Sequence, residues 1–207
     1  MSSFDQMKLD VLRYAQLSYR EQLFAGTSGN LSTYDKASGF MAITPTSVAY
    51  ETMTAEDIVL IKTDGTEAEG IHEPSSEWRM HAAIYRSCPE TGAIVHTHSP
   101  YATSFAVGQE AIPVILIEMV PFLGGDVRVA QFALPGTEAV GVTALAALEG
   151  RNACLMANHG VLAVGRDLAQ AHIRAVYVED AAKIYHLAKQ SGEVHCVPEE
   201  FIRKMKG

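Results

Sequence analysis

The stretch ACLMANHGVLAVG, residues 153–165, reads as two short apolar strands hinged at Asn158-His159-Gly160. Strands joined by so short a turn pair as a hairpin. Working outward, AIVHTHS (residues 93–99) and IPVILI (residues 112–117) have the same apolar strand character. Residues 31–34 and 39–43 flank a polar DKAS segment and read as another hairpin. DIVLI (residues 57–61) reads as a buried strand ended by the turn Thr63-Asp64-Gly65.

Helical signals alternate with these strands. Ser3 with Gln6 forms a capping-box pattern that predicts a helix over residues 4–24. EPSSE opens a helix over residues 76–88, which Pro89 forbids to continue. An Ala-rich segment, residues 137–148, ends in the C-terminal signal Gly150. The longest helix starts at Asp167, with Gln170 as its box partner, and ends at Gly192. Its positions Ala171, Ala175, Val178, Ala182 and Tyr185 step by four and three along one face. Helices and strands alternate, yet short turns join several strands. The expected fold is α/β with α+β-like character, a three-layer α/β/α arrangement around a mixed, mostly antiparallel sheet. No run of Pro, Gly, Ser or like charge divides the 207 residues, so residues 1–207 read as one domain.

Composition bounds the partners. With 48% apolar and 19% charged residues, the chain has ordinary globular composition. A formal net charge of −8 argues against nucleic acid and anionic membrane surfaces, because no basic patch is available to neutralise phosphates. A small anion must then be held by local donors. Cys88, Cys154 and Cys196 are too sparse for a disulfide framework. The start MSSFDQMKLD has no signal-peptide pattern, and no apolar run reaches the roughly 20 residues of a membrane helix. A reducing cytoplasm is the expected compartment.

Three constellations carry chemistry. His96 and His98 are two apart on a strand, so both face one side and can grip one metal. A lone His-x-His also arises by chance, but here it ends an apolar strand, where a core histidine pair would be poorly satisfied. His159 sits in a turn between apolar strands, with little packing reason to be there. Three histidines with one open position are the pattern of a catalytic zinc site. His72, His81, His172, His186 and His195 read as structural or solvated.

Glu77 follows Ser75-Ser76, which read as helix-capping serines with an acidic residue in the first turn. The same arrangement is an anion site, since backbone N–H groups and hydroxyls converge there. GTSGN (residues 26–30) and Thr46-Ser47 offer two further donor-rich turns. None of the three contains Lys or Arg, so a phosphate there would be held by neutral donors.

The motifs GTSGNLS, ITPT, PSSEWRMH, IVHTHSPYAT and NHGVLAVG, in this order and spacing, resemble the class II aldolase/epimerase family of fuculose-phosphate aldolase and ribulose-phosphate 4-epimerase. The resemblance runs from about Gly26 to Tyr185. It implies one Zn²⁺ per chain on His96, His98 and His159, and an acid/base, also able to ligate zinc, at Glu77. Phosphate contacts fall on Gly29, Asn30, Thr46, Ser47, Ser75 and Ser76. It also implies a homotetramer with active sites between neighbouring subunits, with IPVILIEMVPF (residues 112–122) as either interface or core strand.

The implied reaction is cleavage of a small ketose phosphate to dihydroxyacetone phosphate and an aldehyde. The substrate is expected to be a ketose 1-phosphate, fuculose-1-phosphate-like or a deoxy sugar. The epimerase branch carries Asp where this chain has Glu77, which favours the aldolase; 4-epimerisation and decarboxylation of a phosphorylated keto acid are the alternatives on the same fold. An adducin-like binding module would lack the metal ligands. The chain departs from the aldolases at Ser47, where they have Gly, and at Ile117, which aligns with a tyrosine supplied by a neighbouring subunit. A C-terminal family tyrosine has no counterpart, and Glu118 is a substitute acid on position alone. A hydrocarbon at Ile117 implies an apolar aldehyde end, such as a methyl or thioether. A Schiff-base route would need a desolvated lysine, and Lys62 adjoins a solvated turn.

Overall fold

Alternate residues along the inner strands are buried in two different apolar clusters. Leu31, Ala42, Val95, Leu155 and Val161 belong to one, and Met41, Ile94, Cys154 and Leu162 to the other. A strand that is apolar on both faces needs helices on both sides. The computed structural model, which describes residues 2–206, shows that arrangement.

In chain order the elements are α1 (Ser3–Arg20), β1 (Asn30–Asp35), β2 (Phe40–Ile43), β3 (Val59–Lys62), β4 (Ala68–Glu69) and α2 (Trp78–Ser87). Then come β5 (Ala93–Thr97), α3 (Pro100–Gly108), α4 (Met119–Leu123), β6 (Arg128–Ala130) and α5 (Glu138–Ala147). The chain continues through β7 (Ala153–Met156), β8 (Gly160–Gly165), α6 (Leu168–Ser191) and α7 (Glu199–Lys206). The strands form one sheet in the order β4-β3-β2-β1-β5-β8-β7-β6. The β6–β7 pairing is parallel and the others are antiparallel. Side chains of α1, α3, α4 and α6 cover one face, and those of α2 and α5 cover the other. The expected three-layer arrangement with a mostly antiparallel sheet is the one observed.

Several boundaries differ from the sequence reading, each for a local reason. The first helix is capped by Ser2 rather than Ser3: the Asp5 N–H donates to Ser2 Oγ at 3.1 Å, and the Ser2 N–H to Asp5 Oδ2 at 2.8 Å. Its last turn gives way at Gln22, whose φ of 62° is left-handed. Residues 112–117 do not form a strand; Ile112 makes a single bridge to Val127, and Pro113 has no N–H to extend it. The short α4 follows, so residues 112–122 are not a core strand. β4, β6, α3, α4 and α7 are further elements that the sequence patterns do not announce. The strand read over residues 57–61 begins later, at Val59, after a 3-10 turn at Ala55–Asp57. Glu179 of α6 accepts from the Tyr101 and Ala102 N–H groups at 3.0 and 2.8 Å and so caps α3 from a distance. No helix among the described residues is long and apolar enough to cross a membrane.

β5 and β8 meet closely at Gly160. A Cβ there would lie 2.3 Å from the Thr97 carbonyl oxygen and 3.2 Å from His96 Cε1. Gly160→Ala is expected to destabilise the protein by about 1–3 kcal/mol, lowering the melting temperature of the metal-free form by roughly 2–12 °C. An unchanged melting temperature would mean that the strands do not meet this tightly.

Candidate metal centre and active site

A different element places each candidate ligand. His96 lies in β5 and registers with Asn30 of β1 on one side and Leu162 of β8 on the other. His98 follows the strand, its N–H donating to the Leu23 carbonyl at 3.2 Å. His159 sits in the β7–β8 turn, where its N–H donates to the Met156 carbonyl at 3.0 Å and Asn158 adopts a left-handed φ of 55°. Glu77 occupies the N-cap position of α2 but makes no capping bond with its side chain, which is buried.

These four side chains converge. His96 Nε2 lies 3.0 Å from His98 Nε2 and 3.1 Å from Glu77 Oε2, and His159 Nε2 lies 3.1 Å from Glu77 Oε1. The last pair does not align as a hydrogen bond, so Glu77 Oε1 is a buried acceptor without a partner. One ligand atom from each histidine falls within a 4.8 Å cluster. On the far side of its ring, His96 Nδ1 is 2.8 Å from the Val161 carbonyl oxygen. A carbonyl only accepts, so Nδ1 carries a proton whatever the charge of the ring, and Nε2 is the nitrogen turned to the cluster. Burial opposes the charged ring, but Glu77 beside it raises the pKa, and a cation bound there would take the place of the Nε2 proton. Burial, reinforced by the neighbouring His96 and His159, pushes the His98 pKa down to about 4, which leaves that ring neutral near pH 7. Burial would raise the Glu77 pKa, but positive charge on the facing His96 and His159 imidazoles, where a bound cation would otherwise supply it, outweighs burial and holds the carboxyl far below its usual range. Nitrogen lone pairs and an orphaned carboxylate oxygen aimed at one point are a donor set that suits a divalent cation such as zinc.

Above the cluster lies a cavity of about 310 Å³. Gly29, Asn30, Thr46, Ser47, Ser75 and Ser76 all line it, together with Glu77, His98 and His159; His96 is fully buried. No Lys or Arg is among the described residues that line it. Gly29 has a φ of 77°, and a Cβ there would meet the Phe24 ring at 2.6 Å and the His96 carbonyl oxygen at 2.9 Å. The Tyr50 hydroxyl supports this turn from below by donating to the Gly29 carbonyl at 2.7 Å. The Thr46 N–H donates to the Glu73 carbonyl and the Ser75 N–H to the Thr44 carbonyl, at 3.1 and 3.0 Å, which ties two of the donor-rich turns together. Ser47 has a φ of 60°, a conformation that favours glycine, so the serine is held at a strained position.

The serines differ from their expected role. Ser75 and Ser76 precede the helix, which starts only at Trp78; Ser75 Oγ accepts from the Glu77 N–H at 3.3 Å. Thr27, Ser28, Pro135 and Gly136 also line the cavity. The first two lie inside GTSGN, whereas Pro135-Gly136 carried only a turn signal. His172 bonds Ser18 and Glu21, and His72 pairs with Asp57, both away from the cavity. His186 and His195 are exposed. His81, expected as structural or solvated, is fully buried and hydrogen-bonded to Asn30. Lys62 pairs with Glu67 at 2.7 Å, which raises its pKa, so it is no candidate for a neutral amine nucleophile.

Residues 10–186 match the model of the class II aldolase and adducin N-terminal domain. A 5-deoxy-D-ribulose 1-phosphate aldolase of Bacillus thuringiensis serovar kurstaki is 34% identical over 92% of this chain and 89% of its own. A 5-methylthioribulose-1-phosphate/5-deoxyribulose-1-phosphate aldolase of Rhodospirillum rubrum is 39% identical over 87% and 80%. Among solved structures, an L-fuculose 1-phosphate aldolase superposes with a TM-score of 0.93 at 39% identity, covering 100% of this chain and 96% of that one. A family match across most of the chain, a shared fold and two closely covered relatives lead to one statement: the chain belongs to the class II aldolase and adducin N-terminal domain family.

Proposed function

We propose that the protein is a zinc-dependent aldolase that cleaves a ketose 1-phosphate to dihydroxyacetone phosphate and an aldehyde, preferring substrates with an apolar, deoxygenated end. The observation that carries this reading is the convergence of three imidazole nitrogens and the orphaned Glu77 oxygen beneath a cavity walled by neutral donors. His96, His98 and His159 would hold the zinc, with Glu77 as a further ligand when no substrate is bound. When bound, the cation supplies Lewis-acid stabilisation of the negative charge that develops as the C3–C4 bond breaks.

The remaining roles belong to the chain itself. Gly29, Asn30, Thr46, Ser47, Ser75 and Ser76 bind the phosphate through hydroxyls and N–H groups, and so orient the reacting carbons from a distance. Glu77, kept ionised and turned into the cavity, moves the proton at the nucleophilic carbon. Ile117 is 60% exposed and does not line the cavity of its own chain. It can meet a substrate only across a subunit boundary, as a homotetramer with shared sites would allow. Phe132 and Leu134, 62% and 67% exposed beside the Pro135-Gly136 rim, are further apolar surface available to such a boundary. Cytoplasmic residence fits the three free cysteines. The relatives named for 5-deoxy and 5-methylthio sugars support an apolar aldehyde end.

The purified protein should carry about one zinc per chain, and His96→Ala should lose nearly all of it. Full occupancy in the variant would remove His96 from the site. Glu77→Gln should keep the metal and the fold while kcat falls by roughly 100- to 10,000-fold, because an amide cannot accept the proton. Unchanged kcat would end that assignment.

Substrate choice is tested with 5-deoxyribulose 1-phosphate and ribulose 1-phosphate, which differ by one hydroxyl. The deoxy sugar should win in kcat/KM by about 10-fold or more, as one group in an apolar pocket allows. A clear preference for the hydroxylated sugar would overturn the role of Ile117. Equal turnover of unphosphorylated sugars would overturn the cradle, and C4 isomerisation of a ketose 5-phosphate without release of an aldehyde would favour the epimerase.

A further inference from the structure

A line of buried polar side chains leads away from Glu77 into the layer beneath α2. Asn30 Nδ2 lies 2.9 Å from Glu77 Oε2, and Asn30 Oδ1 lies 2.6 Å from His81 Nε2. His81 Nδ1 lies 2.7 Å from Ser32 Oγ, which lies 2.7 Å from the Tyr85 hydroxyl. Tyr85 also reaches the Ser32 carbonyl at 3.0 Å. Asn30, Ser32, His81 and Tyr85 are all buried, so no member exchanges its partner for water at low cost.

The direction of each bond follows by elimination. The Asn30 amide turns its NH₂, which only donates, toward Glu77 at 2.9 Å. That turns the amide oxygen toward His81, and an amide oxygen cannot donate. His81 must therefore carry its proton on Nε2. Burial, reinforced by His96, pushes the His81 pKa down to about 3, so the ring is neutral and Nδ1 is a bare acceptor. Ser32 spends its one hydroxyl proton on Nδ1, so at the 2.7 Å contact with Ser32 Oγ the Tyr85 hydroxyl is the donor, its proton shared with the Ser32 carbonyl at 3.0 Å. The donors all point one way: Tyr85 to Ser32, to His81, to Asn30, to Glu77. Hydrogen bonds in such a series polarise one another.

We propose that His81 is a positioning residue for the reaction, which through its Nε2–H locks the Asn30 amide with its NH₂ toward Glu77 and so fixes the carboxylate that moves the proton. A flipped amide would put its oxygen against the carboxylate, and two acceptors at that distance repel. Asn30 also lines the cavity, so the same lock sets the donor it shows to the substrate. The inference rests on the reading of Glu77 as the proton carrier.

The test begins with the unchanged protein. ¹⁵N spectra of histidine-labelled, metal-free protein should show His81, assigned by its loss in His81→Gln, as the Nε2–H tautomer. An Nδ1–H tautomer would reverse the chain and overturn the proposal, whatever any variant does. His81→Phe keeps the ring but removes the donor. With metal content unchanged, its kcat should fall by about 10- to 100-fold while KM moves less, as losses behind a site residue do. His81→Gln puts an amide nitrogen where the ring carried Nε2–H, and should recover kcat to within about threefold of the unchanged enzyme. Equal impairment of the Phe and Gln variants would mean that a restored donor toward Asn30 does not restore the reaction, and full activity of His81→Phe would mean that the donor is not needed; either overturns the lock. Inactive Glu77→Gln beside fully active His81→Phe would sink this inference alone, whereas active Glu77→Gln would sink the reading beneath it.

Discussion

Lone pairs that face one another in a buried place are costly unless a positive charge sits between them. His96 Nε2 faces both His98 Nε2 and Glu77 Oε2 at about the distance of a hydrogen bond, and Glu77 Oε1, 3.1 Å from His159 Nε2, has no hydrogen-bond partner. The fold spends its most rigid parts on holding that arrangement. β5 runs between β1 and β8 in the middle of the sheet, so His96 is fixed by ladders on both sides. The Val161 carbonyl of β8 fixes its tautomer as well as its place. The hairpin that supplies His159 is formed by the same β8, and α2 starts where Glu77 must turn inward.

Charge explains the form of the cavity. The chain carries a net charge of −8, and no Lys or Arg is among the described lining residues, yet the comparisons point to sugar phosphates. A neutral cradle avoids one difficulty that a cationic one would bring: a lysine close to three imidazoles would compete with a metal for the carboxylate. Under the proposed function, N–H groups and hydroxyls would instead supply the bonds, in fixed directions. Gly29 and Ser47, both lining the cavity, adopt left-handed backbone conformations. At Gly29 the close approach of Phe24 and the His96 backbone leaves no room for a side chain. At Ser47 a hydroxyl is gained and strain is accepted.

The site was more legible in the sequence than the sheet was. The motifs are short runs whose chemistry depends on residue type, so GTSGN, Ser75-Ser76-Glu77, His96-x-His98 and His159 were visible as donors before the fold brought them to one cavity. Long, strongly patterned elements such as α6 were also legible. Short ones were not: β4 has two residues and β6 three, and each exists only because a neighbouring strand pairs with it. The apolar run at residues 112–117 misled because its composition outweighed Pro113, which has no N–H to extend a ladder. His81 escaped for a different reason. It lies on the buried side of α2, where a histidine looks like filler, and its partners Asn30 and Ser32 are about fifty residues earlier in the chain.

This division between rigid and irregular parts bears on how such a chain can change its substrate. The cluster and the cradle are tied to ladders, tight turns and a buried hydrogen-bond chain, so a substitution there meets several constraints at once. Ile117 lies in a segment without strand or helix, and the rim at Pro135-Gly136 belongs to a loop flanked by exposed Phe132 and Leu134. Irregular surface segments accept substitution with little effect on the core. Under the proposed function, the end of the sugar that leaves as aldehyde would be read by these segments, while phosphate and proton transfer would stay with the ladders. A hydroxyl-for-hydrocarbon exchange at a site such as Ile117 then redirects specificity by changing one exposed residue and leaves the catalytic geometry alone.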